Sequence, residues 1–169
     1  MFAPWGVDRQ EYEQRHKREV SSILPFELYC SGCEPPKDLA VLEEYDIRLV
    51  IRLGDEDDFE MYKTHVEPGL EYEDILLQDS TDAEMSVDFL SRITQQMRDA
   101  KGAVLVHCYA GISRSVSVCI AYLMRFKHLN YEKACEFMFN ARPCSSPNAK
   151  FRLDLARFYT VLLAENGAT

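Results

Sequence analysis

Three short stretches of the chain carry the hydrophobic pattern of β-strands. Residues 46–53, DIRLVIRL, alternate polar and apolar side chains, which predicts a strand with every second residue from Ile47 to Leu53 on one face. Residues 72–77, YEDILL, form a second candidate strand. Residues 103–108, AVLVHC, are apolar nearly throughout, which is typical of a strand buried on both faces.

Four stretches carry helical periodicity instead, and they separate and then follow these strands. They are residues 82–100, 113–127, 130–141 and 148–164. In the first, Leu90, Ile93 and Met97 share one face, and Thr81 or Asp82 is the expected N-cap. The second is apolar nearly all round, as in a helix at the centre of a domain. Strands that alternate with helices, followed by a run of helices, predict an α/β sheet covered by helices.

Charge distinguishes the N-terminal region from the rest of the chain. Residues 8–20, DRQEYEQRHKREV, predict a surface helix or arm, so we divide the chain into an arm over 1–20 and one globular domain over 21–169. The whole chain has a net charge of −9. Because an acidic protein repels nucleic-acid phosphates and anionic lipids, we expect no nucleic-acid partner and no membrane partner.

The sequence carries no recognisable targeting signal. It has no basic and apolar leader, no glycine after the first Met and no apolar run long enough to cross a bilayer. The expected location is therefore the cytoplasm, with the nucleus as a second compartment. In a reducing compartment the six cysteines are expected to be thiols.

The stretch AVLVHCYAGISRS places Cys108 and Arg114 on either side of a predicted turn. Their spacing alone is weak evidence, because Cys119 and Arg125 share it inside a helical stretch. The context separates the two pairs, since a strand leads into Cys108, Gly111 allows a tight turn and a helix follows. Backbone N–H groups and the helix N-terminus can then bind a tetrahedral dianion, to which Arg114 adds two parallel hydrogen bonds. A thiol nucleophile beside an anion site predicts attack on phosphorus.

The segment HCYAGISRS resembles the H-C-x-x-G-x-x-R-[ST] signature of the cysteine-dependent protein phosphatases, in the form of the dual-specificity branch. ILPFELYCSG and YDIRLVIRL resemble the first two strands of that family, and SRSVSVCIAYLMRF resembles its central helix. RPCSSPNAKFRLDLARF resembles the pattern near its end, so the resemblance covers about residues 21–163. The resemblance implies a mostly parallel, twisted sheet flanked by helices, with the anion-binding loop between a buried strand and the central helix.

The resemblance also implies a role for each residue of this loop. Cys108 would attack the phosphate and become a cysteinyl-phosphate, and Arg114 would stabilise the transition state. Ser115 would donate a hydrogen bond to the sulfur and help it leave, and His107 would support the loop without transferring protons. The residues expected to bind substrate are Tyr109, Ala110, Gly111, Ile112, Ser113 and Arg114. Tyr109 either lines the mouth of the pocket or simply packs.

The leaving group needs a proton, which the family takes from an aspartate on an upstream loop. Asp79 lies 29 residues before Cys108, directly after a predicted strand, and is the favoured general acid. Asp82 is the second candidate, although it resembles a helix cap. The same carboxylate would then activate water, and this mechanism needs no metal ion and no cofactor.

Two further features have simpler explanations. The acidic run DEDDFE, residues 55–60, is typical of a solvated loop or helix face. The motif CSGC, Cys30 to Cys33, could indicate zinc or a redox pair, but a zinc site needs about four ligands and no second such motif is present. A structural role is therefore favoured for these two cysteines.

The favoured function is hydrolysis of phosphotyrosine and phosphoserine or phosphothreonine in proteins, with a protein kinase among the candidate substrates. One alternative is a phosphatase for a phosphoinositide, a phosphoglucan or an RNA 5′ end. The absence of lysine from residues 109–113 and the negative net charge weigh against it. The other alternative is a phosphate-binding scaffold without activity, which the presence of Cys108, Arg114 and Ser115 disfavours.

Overall fold

The computed structural model describes residues 8–167, which form one mixed five-stranded sheet and seven α-helices. The strands are β1 (Val20–Leu24), β2 (Leu28–Ser31), β3 (Ile47–Gly54), β4 (Glu71–Leu76) and β5 (Ala103–His107). The helices are α1 (Arg9–His16), α2 (Leu39–Glu44), α3 (Glu56–Met61), α4 (Val87–Asp99), α5 (Arg114–Phe126), α6 (Tyr131–Ala141) and α7 (Ala149–Gly167). A short 3₁₀ turn, Pro35–Lys37, precedes α2.

The strand order is β1-β2-β5-β3-β4, with β5 at the centre. Strands β1 and β2 pair antiparallel, and the other three pairings among these five strands are parallel. The carboxyl ends of β2, β5, β3 and β4 therefore meet at one edge of the sheet, which is where open α/β sheets place their binding sites. This is the α/β sheet that the pattern predicts, in the mostly parallel, helix-flanked form that the family resemblance implies.

Apolar side chains cover both faces of the sheet. The larger core lies between the sheet and α4, α5, α6 and α7, and nearly every residue of α5 is buried in it. A smaller core on the opposite face includes Leu42 of α2. All five residues of β5 are buried, as the apolar sequence of that strand predicts. The loop that follows β5 therefore starts from a rigid central strand and ends at a rigid central helix.

Three local predictions are wrong, each for a tertiary reason. Ile47 joins the smaller core and not the face of Leu49, because a bulge shifts the register of β3 against β5 between these two residues. Helix α4 is capped by Ser86, whose side chain accepts from the N–H of Phe89, so neither Thr81 nor Asp82 is its N-cap. The predicted opening strand ILPFELYCSG is a hairpin of two strands, β1 and β2.

The charged N-terminal stretch contains a helix, and that helix contacts the domain. Helix α1 covers Arg9–His16, and Val20 already belongs to β1. Arg142, at the end of α6, is almost fully buried and donates hydrogen bonds to the carbonyl oxygens of His16 and Glu19 at 3.1 and 3.2 Å. Among the helices of residues 8–167, none combines the length and apolar character needed to span a membrane.

Candidate active site

The loop between β5 and α5, residues 108–113, depends on Gly111 for its shape. Gly111 has a φ of +69°, a left-handed conformation that glycine adopts without strain. A Cβ at this position would lie 2.5 Å from Nη2 of Arg142 and 2.5 Å from the carbonyl group of Ser31. Both the backbone angle and the close contacts therefore require glycine here.

The backbone N–H groups that follow Cys108 are left without protein partners among residues 8–167. Within residues 8–167, the N–H groups of 109–114 donate no hydrogen bond to another protein group. Ser113, at the N-cap position of α5, makes no side-chain cap to the helix. The positive end of the α5 dipole thus adds to a set of free donors, and together they favour a bound anion.

Arg142 holds the outer side of the loop in place. Its guanidinium donates to the carbonyl oxygens of Gly111 at 2.6 Å and Ala110 at 3.3 Å. These bonds turn the carbonyl groups away from the anion site, so that the N–H groups remain available to it. Together with the bonds to His16 and Glu19, they make Arg142 a link between the N-terminal segment and the loop.

Cys108 lies at the floor of the site, with 2% of its surface exposed. Its Sγ is 3.3 Å from Oγ of Ser115, close enough for a hydrogen bond to the sulfur. Cys30 contacts Ser115 from the other side, with its thiol donating to the same hydroxyl at 3.5 Å. Cys33 donates its backbone N–H to the carbonyl oxygen of Tyr109 at 2.9 Å. Both cysteines of the CSGC motif therefore support the loop, in agreement with their structural interpretation.

Arg114 is buried beside Cys108 and is held on one side by an acidic partner. Its Nη1 donates to Oδ2 of Asp58 at 2.7 Å and to the carbonyl oxygen of Leu77 at 3.2 Å. Its Nε is buried and has no acceptor within residues 8–167. Burial alone lowers the pKa of Arg114, but the adjacent Cys108 and Asp58 outweigh burial and raise that pKa above its ordinary value. The guanidinium stays charged, with one edge fixed and another available to a phosphate.

Asp58 was expected on a solvated surface, and that expectation is wrong. Only 7% of its surface is exposed, whereas its neighbours Glu56 and Asp57 are exposed as predicted. Asp58 also completes a reciprocal capping box with Asp55 at the start of α3. The position of Asp58 could have indicated that it lies at the site, because it follows the carboxyl end of β3, the strand beside β5.

His107 supports the loop from within the core. Its Nδ1 lies 3.4 Å from the carbonyl oxygen of Cys108, and its ring makes an edge contact with Tyr62 at 4.7 Å between centroids. Burial lowers the pKa of His107 to about 3, so the ring is neutral near pH 7. A neutral, buried ring fits the predicted supporting role.

The structure places Asp79 beside the loop and Asp82 farther away. Asp79 lines the same cavity as Cys108, and its Oδ1 accepts from Ser113 Oγ at 2.8 Å and Asn148 Nδ2 at 2.9 Å. Asp82 lies in a neighbouring acidic groove that Cys108 does not line. Asn148 was not among the predicted site residues. Its side chain also accepts from the N–H of Phe151, so that it joins the start of α7 to the loop of Asp79.

The cavity above Cys108 has a volume of about 480 Å³ and walls from several elements. Its lining residues are Tyr12, Glu13, Asp55, Asp58, Asp79, Cys108, Tyr109, Ala110, Ile112, Ser113, Arg114, Phe139, Pro143, Cys144, Ser145 and Ser146. Tyr109 both lines the cavity and packs, because it is half-buried against the cluster of Ala110, Ile112 and Cys144. No pattern in the sequence indicated that α1 and α6 contribute to the wall.

Comparison with known proteins finds a matching family model and related proteins. The family model for the dual specificity phosphatase catalytic domain matches residues 28–161. Human dual specificity protein phosphatase 4 is 40% identical over 148 residues, which cover 86% of this chain and 36% of that protein. Human dual specificity protein phosphatase 2 is 33% identical over 143 residues, which cover 83% of this chain and 44% of that protein. The chain thus spans less than half the length of either relative.

Solved structures resemble most of the chain. A crystal structure of human tyrosine phosphatase-like serine/threonine/tyrosine-interacting protein is similar with a TM-score of 0.77 and 27% identity, over 86% of this chain and 99% of that one. A crystal structure of human DUSP28 is similar with a TM-score of 0.75 and 26% identity, over 85% of this chain and 95% of that one.

Proposed function

Because the chain belongs to the dual-specificity phosphatase family, we propose that it hydrolyses phosphotyrosine, phosphoserine and phosphothreonine in proteins through a cysteinyl-phosphate. One observation carries the proposal: Cys108, Arg114 and Asp79 line a single cavity, with Ser115 Oγ 3.3 Å from the sulfur of Cys108. A nucleophile, an anion-binding cation and a carboxyl group in one cavity are the groups that two-step phosphate transfer requires.

In the first step the thiolate of Cys108 attacks phosphorus and forms an S–P bond while the P–O bond to the substrate breaks. The free edge of Arg114 and the N–H groups of 109–114 bind the phosphate oxygens, whose charge is spread in the transition state. Asp79 donates its proton to the departing ester oxygen. In the second step Asp79 takes a proton from water, water attacks phosphorus, and the S–P bond breaks with Ser115 donating to the sulfur.

The charges that line the cavity favour a substrate with one phosphate group. Arg114 is the one Lys or Arg side chain among the lining residues within 8–167, whereas Glu13, Asp55, Asp58 and Asp79 are acidic. A ligand with several phosphates needs several cations, and its further phosphates would face carboxylates. The cavity therefore supports a monophosphorylated protein side chain over a phosphoinositide, and proteins, among them protein kinases, are the proposed substrates.

The test is turnover of a small aryl phosphate and of phosphopeptides, compared between wild type and Cys108→Ser. We expect wild-type turnover and none above background for Cys108→Ser. Equal rates for the two proteins would refute the catalytic proposal and leave a phosphate-binding scaffold. Preferred turnover of phosphoinositides over phosphopeptides would refute the protein substrate.

Asp79→Asn tests the general acid separately. We expect a loss of about 10²–10⁴-fold in kcat, and a larger loss for phosphothreonine than for an aryl phosphate, whose leaving group needs less protonation. Asp82→Asn is the matched control and should retain wild-type rates. A larger loss in Asp82→Asn would transfer the role to that residue. Substrate capture by Asp79→Ala would then identify the phosphoproteins.

A further inference from the structure

Acidic side chains and apolar side chains both line the cavity. The acidic side chains are Asp55, Asp58 and Asp79, together with Glu13 of α1. Apolar and aromatic side chains also line the cavity, and we call three of them, Tyr12, Ile112 and Phe139, the aromatic wall.

Tyr12 is held in this wall by contacts between α1 and the loop. The amide of Gln14 donates to the Tyr109 hydroxyl at 3.2 Å, and the ammonium of Lys17 lies 5.5 Å from the centroid of the Tyr109 ring. Tyr12 itself packs edge-on against His16 with 4.4 Å between ring centroids. The carbonyl of His16 is in turn bonded to Arg142. The helix is therefore anchored next to the loop, and Tyr12 is half-buried at the cavity.

Phe139 presents an aromatic ring to water at the same cavity. It is 54% exposed, although Ala134 and Met138 on the same helix are fully buried. Covering such a ring with an apolar ligand group is favourable because apolar surface leaves water. Phe137 lies on the same helix, is 39% exposed and does not line the cavity. The exposed ring of Phe139 is thus an apolar contact available to a substrate.

We propose that the aromatic wall binds the ring of a phosphotyrosine, so that α1 and α6 favour phosphotyrosine over phosphoserine and phosphothreonine. This inference rests on the proposed function of the site. Cys108 is 2% exposed at the floor, so the phosphate must lie deep in the cavity. A tyrosine side chain reaches the floor while its ring faces the wall. A phosphoserine would have to bring its backbone into the cavity, where the peptide groups would lose water beside apolar side chains.

The experiment compares two peptides that differ only in carrying phosphotyrosine or phosphothreonine. Phosphotyrosine has the better leaving group, so the informative quantity is how each variant changes the ratio of the two kcat/KM values. We expect Phe139→Ala and Tyr12→Ala each to lower kcat/KM for phosphotyrosine by roughly three- to tenfold, the range of an aromatic contact. The value for phosphothreonine should change by less than about twofold. Phe137→Ala is the matched control and should leave both values unchanged.

A loss of equal size for both peptides in Phe139→Ala and Tyr12→Ala would refute the inference, because the wall would then act only on the fold of the loop. Unchanged kcat/KM values in both variants would also refute the inference, because the phosphotyrosine ring would then not touch the aromatic wall. Circular dichroism and melting temperature confirm that each variant is folded.

Peptide binding separates failure of this inference from failure of the proposed function. If no peptide is turned over faster by wild type than by Cys108→Ser, the catalytic proposal fails on its own. Binding of the phosphotyrosine peptide to Cys108→Ser, measured by calorimetry, still tests the wall. Adding Phe139→Ala to that variant should weaken binding roughly three- to tenfold, and unchanged affinity would refute the wall.

Discussion

Replacement of Asp58 by asparagine tests whether Asp58 holds the guanidinium of Arg114 in position. Their side chains are 10% and 8% exposed and are joined by a 2.7 Å contact between Asp58 Oδ2 and Arg114 Nη1. Asparagine keeps the size of the side chain and one oxygen acceptor, so the capping box with Asp55 can persist in part. What the substitution removes is the negative charge that faces the guanidinium.

The expected loss follows from the kind of contact that changes. Removing one partner of a buried ion pair lowers the free energy of unfolding by about 3–5 kcal/mol when the other charge is left without a counter-ion. The substituted asparagine would still offer a neutral acceptor, and hydrogen bonds to charged groups are worth about 1.5–3 kcal/mol. Because the same contact orients the guanidinium that would bind the phosphate, we expect Asp58→Asn to lose a comparable amount, about 2 kcal/mol, of transition-state stabilisation. That loss is roughly a thirtyfold fall in kcat/KM.

The assay is steady-state hydrolysis of a phosphopeptide at neutral pH, with a urea titration of each protein beside it. Asp57→Asn is the matched control, since Asp57 is the exposed neighbour on the same helix. It carries the same change in net charge and should keep wild-type kcat/KM. If Asp58→Asn is as active as Asp57→Asn, or more active, Asp58 does not orient Arg114 and the reasoning is wrong.

Two further predictions concern the loop and the strand that leads into it. Gly111→Ala places a methyl group 2.5 Å from the Arg142 guanidinium and from the backbone of Ser31, at a φ of +69°. We expect this variant to have a lower melting temperature and a kcat reduced roughly tenfold or more. Wild-type activity together with wild-type stability would contradict this prediction. The second prediction is a pH effect, because burial lowers the pKa of His107 from its ordinary value of 6.5 to about 3. At a pH between these two values, His107 binds a proton in the unfolded chain and not in the folded chain. Stability from this group is complete above pH 6.5 and decreases as pH falls towards 3, by on the order of 1 kcal/mol per pH unit. Urea titrations between about pH 7 and pH 5 should show that the free energy of unfolding decreases less steeply for His107→Asn than for wild type. Equal slopes for the two proteins would show that His107 is not the source of the pH dependence.

The sequence was informative wherever the site is continuous along the chain. The strand, the turn at Gly111 and the start of α5 follow one another within a single stretch, so their hydrophobic pattern and the glycine predict the loop directly. For the same reason the sequence could place Cys108 at the end of the strand and Arg114 at the start of the helix. The second cysteine–arginine pair, Cys119 and Arg125, lies inside α5 as its pattern predicts.

Local sequence signals were misleading where contacts with distant residues determine the backbone conformation. The predicted start of α4 at Thr81 or Asp82 satisfied the rules for helix caps, yet the helix begins at Val87. The N–H of Met85 is instead bonded at 3.0 Å to the carboxylate of Asp154 on α7, and the Met85 side chain is buried. A contact across 69 residues of sequence therefore competes successfully with a local cap.

The acidic residues that line the cavity beside Cys108 include two whose placement follows a rule of sheet topology. Cys108 follows β5, Asp58 follows β3 and Asp79 follows β4, and these three strands are neighbours in the order β5-β3-β4. Because all three run parallel, each delivers its next loop to the same edge of the sheet. A prediction that included strand order could have placed Asp58 beside Arg114, although its acidic surroundings indicated an exposed surface.

The aromatic wall follows no such rule, and this explains why the motif predicts the reaction without predicting the substrate. Tyr12 comes from α1, which precedes the sheet, and Phe139 comes from α6, which follows it. Neither residue is adjacent to the loop in sequence, and the buried Arg142 joins their two elements to it through hydrogen bonds to Ala110, Gly111 and His16. Chains with the same phosphate loop can therefore carry different walls. Selectivity among phosphorylated side chains is then set by elements that the motif does not contain.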